Sequence, residues 1–371
     1  MTYGNYPDHA ALKKILVVKL RHHGDVLLTS PVFSCVKQAL PSAQVDVLLY
    51  QDTLPMLEGH PCITDFLLYD RSWKKGSLFS RIKKELSLLL QIRKNKYDLV
   101  INLTEGDRGA IAALISGSPY KVGFDRRGKR VLGRRNIYSQ TIKHCPNPRH
   151  TVEKQLDALR CIGIFPSMEQ RDLFLHIPDE AVDSAASMVG KGPYIVIHPV
   201  SRWRFKCLPV QTIARVIEHL VLDGKTVVLT SGPDKEEKAM IEEILSYAPK
   251  GQVIDLSGKT TLKELAALIA NSQMLLCVDS VPLHIASAVK TPVVALFGPS
   301  SELNWGPWMH PQSIVLTEKM PCRPCFKDGC AGSKMSDCLF SMQVRSILSA
   351  LQELGSPSLL QLHSHAIGDR K

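Results

Sequence analysis

Short runs rich in valine, isoleucine and leucine recur along the chain, with enough sequence between them for a helix. That is the pattern of parallel strands buried on both faces of a sheet. In the first half the runs are residues 15–20, 45–50, 66–69 and 99–103, and in the second half 194–198, 226–230, 253–256, 274–278 and 293–297. Between them, apolar residues return at helical spacing over 31–40, 78–94, 151–161, 209–222, 235–246, 262–271 and 283–289. The alternation pauses over residues 166–193, where Pro178, Gly190, Gly192 and Pro193 punctuate the chain. The expectation is two doubly wound α/β domains facing each other across a cleft: residues 1–178, residues 179–345, and a C-terminal helix or tail over 346–371. A chain of 371 residues is also too long for one ordinary core.

Composition narrows the class. With 44% hydrophobic and 22% charged residues the chain is globular, neither disordered nor membrane-embedded. The N-terminus carries Tyr3, Asn5, Pro7 and Asp8 where a secretory signal needs an apolar run. Apolar stretches such as 15–20 and 86–90 fall far short of the roughly 20 residues that cross a bilayer. A cytoplasmic protein is expected, with its ten cysteines as reduced thiols. The net charge of +11 favours a polyanionic partner. Basic residues concentrate in Lys74 to Lys96 and in Arg126, Arg127, Lys129, Arg130, Arg134 and Arg135, as solvated surface or as an anionic docking surface. Neither run interleaves stacking aromatics, so nucleic acid is not the expected partner.

In open parallel sheets ligands sit beyond the carboxyl ends of the strands. Four segments stand there. After the first strand comes KLRHHGDVLLT, in which Gly24 permits a tight turn and Asp25 falls near a helix start, where a carboxylate serves as an N-cap or as a general base. After the first strand of the second half, Ser201, Arg202, Arg204 and Lys206 are donors suited to phosphate oxygens, or a basic surface loop. Asp279 and Ser280 close another strand at helix-cap positions, with Pro282 and His284 in the first turn; helix starts attract anions, although a histidine there also serves structurally. Cys322, Cys325, Cys330 and Cys338, spaced C-x2-C-x4-C-x7-C, allow a tetrahedral zinc site, with ordinary buried thiols as the alternative. No G-x-x-x-x-G-K-[ST], G-x-S-x-G, H-E-x-x-H or G-x-G-x-x-G string is present, against NTPase, serine-hydrolase and zinc-protease chemistry.

As a set, KLRHHGDVLLTSP (residues 19–31), DLSGKTTL (255–262), Val278-Asp279-Ser280 with His284, and LFGPS (296–300) with Trp305-Gly306-Pro307-Trp308 resemble the ADP-heptose:lipopolysaccharide heptosyltransferases of glycosyltransferase family 9, from about Lys14 to Ala350. These are inverting enzymes of GT-B architecture, two Rossmann-like domains across a cleft. The string LRHHGD (20–25) is similar to the type III branch, which adds a heptose to the second heptose of the inner core; sister enzymes tend to carry small or hydroxyl residues where His22 and His23 stand.

The resemblance implies that Asp25 is the general base. It also implies that Ser201, Lys206, Asp279, Ser280 and His284 meet the diphosphate in place of a divalent metal, so that no metal or cofactor is needed. Gly258 and Thr261 would lie toward the adenosine, and Glu236 toward a ribose hydroxyl. Lys19, Arg21, His22, His23 and Gly24 would form the acceptor-side loop. The acceptor would be an acidic, phosphorylated lipopolysaccharide core, met by peripheral, salt-sensitive contact with the anionic inner-membrane face. Alternatives are a type I or II enzyme, another GT-B nucleotide-sugar enzyme such as an epimerase, and, from a different class, a zinc-dependent nucleic-acid-binding protein.

Overall fold

The computed structural model describes residues 6–124, 136–143, 145, 147–249 and 251–356. Tyr3 and Asn5, the basic run from Arg126 to Arg135 and the last part of the 346–371 tail lie outside the described residues. The chain divides into two compact units, Met1–His176 and Ile177–Lys371.

The first unit carries β1 (Lys14–Lys19), β2 (Gln44–Tyr50), β3 (Asp65–Tyr69), β4 (Leu99–Asn102), β5 (Tyr120–Phe124) and β6 (Gln140–Ile142). Their order is β3-β2-β1-β4-β5-β6. All pairings are parallel, with Val17 opposite Val47 on one side and Ile101 on the other. The helices are α1 (His23–Leu27), α2 (Ser30–Ala39), α3 (Leu78–Lys94), α4 (Asp107–Ile115) and α5 (Thr151–Arg160). Leu16, Val18, Leu48, Leu67 and Val100 share a core with Leu88 and Ile92 of α3. Ser77 starts α3 as its N-cap, its hydroxyl accepting from the Ser80 amide.

The second unit carries β7 (Tyr194–His198), β8 (Thr226–Leu229), β9 (Val253–Asp255), β10 (Met274–Val278), β11 (Val293–Phe297) and β12 (Ser313–Thr317), in the order β12-β11-β10-β7-β8-β9 and parallel throughout. Its helices are α6 (Asp179–Val189), α7 (Val210–Leu222), α8 (Lys235–Tyr247), α9 (Leu262–Ala270), α10 (Val281–Val289), α11 (Glu302–Trp305), α12 (Asp337–Phe340) and α13 (Val344–Gly355). In each sheet the strand order reverses beside the first strand, between β1 and β4 and between β7 and β10. This is the doubly wound topology, and that reversal opens the crevice where such sheets take ligands.

The apolar runs all became strands. The strands that periodicity did not reveal, β5, β6 and β12, lie at or next to a sheet edge, where polar and apolar residues mix. The pause at 166–193 contains α6, whose Ala181 and Ala185 are too small to print an apolar stripe. Over its described part the 346–371 stretch is helical: Ile347, Ala350, Leu351 and Leu354 of α13 complete the core against β11, β12 and α7.

Leu351→Ala should therefore cost the second unit about 2–4 kcal/mol, read from its transition in urea denaturation. A loss within error of zero would show that α13 is not part of the core.

Candidate functional site

The segment after β1 turns sharply into a five-residue helix. His22 occupies the N-cap position of α1, so Asp25 is its third residue and not its cap. Asp25 is half-buried, and among the described residues its carboxylate makes no hydrogen bond or ion pair; only its carbonyl is engaged, accepting from the Thr29 hydroxyl at 2.9 Å. Gly24 is buried inside α1 and is not among the glycines with positive φ, so the tight-turn role expected of it does not arise.

Lys19 ends β1 buried, with its Nζ donating to the Leu103 carbonyl at 3.4 Å. Burial pulls its pKa from 10.5 down to about 8, opposed by the negative charge of Asp25. Arg21 and His22 are exposed, and the His23 ring lies 2.9 Å from the Asp52 carbonyl oxygen.

Sequence reasoning missed a cationic and aromatic cluster beyond β2, β3 and β4. The Arg71 guanidinium lies 3.9 Å from the Tyr50 ring centroid, pairs with Asp52 at 2.9 Å and donates to the Arg21 carbonyl at 3.2 Å. Arg108, in the first turn of α4, sits 4.3 Å from the Tyr69 centroid and donates to the Tyr50 hydroxyl at 3.2 Å. Stacking holds both guanidinium groups in place while leaving N–H groups to bind anions. The findable signal was position, since Arg71 follows β3 and Arg108 follows β4.

In the second unit, Lys206 and Asp279 meet across the point where the strand order reverses. Lys206 ends a short turn following β7 and Asp279 is the residue after β10; Nζ and Oδ2 are 2.6 Å apart, with the side chains 21% and 6% exposed. Ser280 is the N-cap of α10 but makes no side-chain cap, its hydroxyl donating back to the Val278 carbonyl at 3.2 Å. His284 is buried in the first turn. Ser201 accepts from the Trp203 amide at 3.4 Å, and Arg202 and Arg204 are exposed.

Beyond β8 and β9, Gly258 adopts φ +64°, and a Cβ there would meet Lys238 at 2.9 Å and the Gly232 carbonyl oxygen at 3.4 Å. The turns after the two strands thus touch through a glycine that only glycine fits without strain. Thr261 caps α9 in a reciprocal box with Glu264. Glu236 is exposed in the first turn of α8. Its neighbour Glu237 turns inward to accept from the Gly232 amide at 2.7 Å, and burial raises its carboxyl pKa.

The late cysteines diverge: Cys338 is buried, and burial pushes its thiol to about 11, whereas Cys322 and Cys330 are exposed. Among the described residues no group of three His, Cys, Asp or Glu side chains is placed to hold a metal ion. Arg323, between Cys322 and Cys325, instead clamps the loop after β11, donating to the Gly298 carbonyl at 2.6 Å and pairing with Glu302 at 2.9 Å.

Comparison with known proteins fits this geometry. Residues 86–336 match glycosyltransferase family 9 (heptosyltransferase). Lipopolysaccharide heptosyltransferase 3 of Escherichia coli K12 is 38% identical over 314 residues, covering 82% of this chain and 89% of the relative. Among solved structures, a family 9 glycosyl transferase from Veillonella parvula superposes with a TM-score of 0.79 at 22% identity, covering 94% of this chain and 98% of the other. E. coli ADP-heptose lps heptosyltransferase II superposes with 0.73 at 21%, covering 94% and 99%. These likenesses show the GT-B fold, two Rossmann-like units in one chain.

The depressed pKa of Lys19 sets a pH dependence. A buried lysine costs stability wherever the native state must carry its proton. The cost is full below about 8 and fades as pH rises toward 10.5, where the unfolded chain still binds the proton. Stability attributable to Lys19 should rise across that window by up to about 3 kcal/mol. Lys19→Met should be more stable than wild type at pH 7, with the difference closing by pH ~10 in urea titrations. A difference independent of pH would show that this lysine is solvated.

Proposed function

Because the chain belongs to glycosyltransferase family 9, the heptosyltransferases, we propose that it moves heptose from ADP-heptose to the second heptose of a lipopolysaccharide inner core, as a type III enzyme does. The reading leans on Asp25, a half-buried carboxylate just past β1 that no described residue engages. The 38% identity to the E. coli heptosyltransferase 3 supports the subtype.

The reaction needs a base for the acceptor hydroxyl and a cation for the departing ADP. Asp25 takes the hydroxyl proton as that oxygen attacks the anomeric carbon, and ADP leaves from the opposite face, inverting the centre. Negative charge grows on the diphosphate as the bond breaks, so donors already fixed in place contribute most there. Lys206 supplies the cation. Its ammonium has three N–H donors, so it keeps Asp279 while donating to a phosphate oxygen. Asp279 is thus the positioning residue that holds Lys206 at the start of α10, whose dipole adds to the field, with Ser280, His284 and Ser201 beside it.

The turns carrying Gly258, Thr261 and Glu236, together with Glu237, take the nucleoside side. Arg71 and Arg108 join Lys19, Arg21, His22, His23 and Gly24 on the side of the anionic acceptor. The enzyme works in the cytoplasm, in peripheral and salt-sensitive contact with the inner membrane. Its +11 charge supports this, as does the lack, among the described residues, of any helix long and apolar enough to cross a membrane.

Incubation with ADP-heptose and a panel of truncated core acceptors, read by mass, is the direct test. One added heptose is expected only on cores that already carry the second heptose. Addition to cores lacking it would assign a type I or II reaction. Asp25→Asn should lower kcat roughly a thousandfold and leave calorimetric ADP-heptose binding unchanged; wild-type turnover would assign the base elsewhere. Lys206→Ala should lower kcat/KM about a hundredfold, and normal kinetics would dismiss its phosphate role.

A further inference from the structure

Helix α3 is apolar on the side away from its core. Leu78, Phe79, Ile82, Leu86 and Leu90 are 71, 80, 47, 53 and 59% exposed, while Leu88 and Ile92 are buried. Steps of four residues advance about 40° around a helix, so Ile82, Leu86 and Leu90 form with Phe79 one stripe opposite Leu88 and Ile92. The inward side is anchored: Glu85 accepts from the Tyr69 hydroxyl at 2.6 Å and pairs with Arg81 at 3.3 Å.

A surface helix needs one apolar face to fold. Scattered exposed leucines are ordinary, but a contiguous row of large apolar side chains marks an interaction site. Between Arg71 and Lys96 there are nine lysines and arginines against one acid, Glu85. Lys83, Arg93 and Lys94 border the stripe. An apolar stripe edged by cations matches a helix lying in the plane of an anionic bilayer, stripe among the acyl chains and ammonium groups at the lipid phosphates. At 17 residues and this charge, α3 cannot cross a membrane.

We propose that the outward face of α3 is the membrane-docking surface of this enzyme, seated on anionic phospholipid. The proposal rests on the peripheral contact proposed above and names the residues that make it. A second copy of the chain is a poor occupant, because two-fold pairing would set this cationic surface against itself.

The test is flotation of the full-length protein with vesicles of phosphatidylcholine, alone or mixed with phosphatidylglycerol. Wild type should float with the anionic vesicles at low salt. The double variants Ile82→Glu/Leu86→Glu and Lys83→Glu/Lys94→Glu should each lose on the order of tenfold or more in binding, with unchanged circular dichroism and melting temperature. Both should keep wild-type transfer to a deacylated, water-soluble acceptor and lose transfer to an acceptor embedded in vesicles. Failure of wild type to float, or flotation of both variants like wild type, would overturn the proposal. So would a wild-type dimer in sedimentation that Ile82→Glu/Leu86→Glu dissolves, since a second copy would then cover the face. Absence of transfer to the soluble acceptor would instead overturn the functional reading and leave vesicle binding as it is.

Discussion

A strand paired in parallel on both sides and covered on both faces can present nothing polar along its length. Its amides and carbonyls belong to the ladder, and its side chains belong to the core. All five residues of β7, of β10 and of β11 are buried, as are Ile15 to Lys19 of β1. Chemistry is confined to the residues just beyond the carboxyl ends, and there the polar groups crowd. Asn102, fully buried at the end of β4, donates to the Tyr138 hydroxyl at 2.7 Å and accepts from the Thr104 amide at 3.0 Å. His198, ending β7, places Nδ1 2.9 Å from the Thr230 hydroxyl, and burial drops its pKa to about 4, so the ring stays neutral at working pH. Each such group needs its partner in place, because an unpaired one at these depths costs about 1–3 kcal/mol.

The two crevices meet that demand differently. In the second unit a half-buried lysine pairs with a buried carboxylate, Lys206 against Asp279. Such a pair adds little net stability, because desolvation offsets the attraction, but it holds its cation in one position at the switch point of the sheet. That is what a departing diphosphate requires, since a fixed charge has no reorganisation to complete as the bond breaks. In the first unit Lys19 is buried with only a carbonyl for a close partner and the charge of Asp25 nearby, and its pKa falls accordingly. Under the proposed mechanism Asp25 must attract a proton and must not be locked in an ion pair. A desolvated lysine that is near but not bonded steadies the carboxylate without engaging it.

Which parts of this were readable in the sequence follows from which are local. The central strands are apolar over their whole length and were legible for that reason, whereas β6 and β12 lie at edges where one flank needs no apolar cover. Asp25 was legible as a carboxylate near a helix start, but its reading as the helix cap falls only once the backbone puts His22 at the cap. Lys206 and Asp279 were both candidates individually. Their pairing was invisible, since 73 residues and a crossover separate them. The stacking of Arg71 and Arg108 on Tyr50 and Tyr69 was hidden for the same reason: each contact joins side chains from different strand ends. The cysteine spacing left a metal site and ordinary buried thiols both open, because spacing carries no information on burial; Cys338 is buried while Cys322 and Cys330 stay in solvent.

Helix α3 shows the opposite limit of sequence patterning. Its period and its bounds were plain at 78–94, but apolar residues stand on more than one side of it, and a pattern of this kind does not say which side is the core. Packing decides: Leu88 and Ile92 go inward, Glu85 is fixed by Tyr69 and Arg81, and the larger part of the apolar surface is left over. Exposed in the folded and the unfolded chain alike, that surface adds nothing to folding stability, and a contiguous apolar row of this kind marks an interaction site. The bilayer docking proposed above would give this face an occupant. Under the docking proposed for α3, an enzyme held at a bilayer would search for its substrate in two dimensions, with the exposed leucines and the lysines of this one amphipathic helix making the contact.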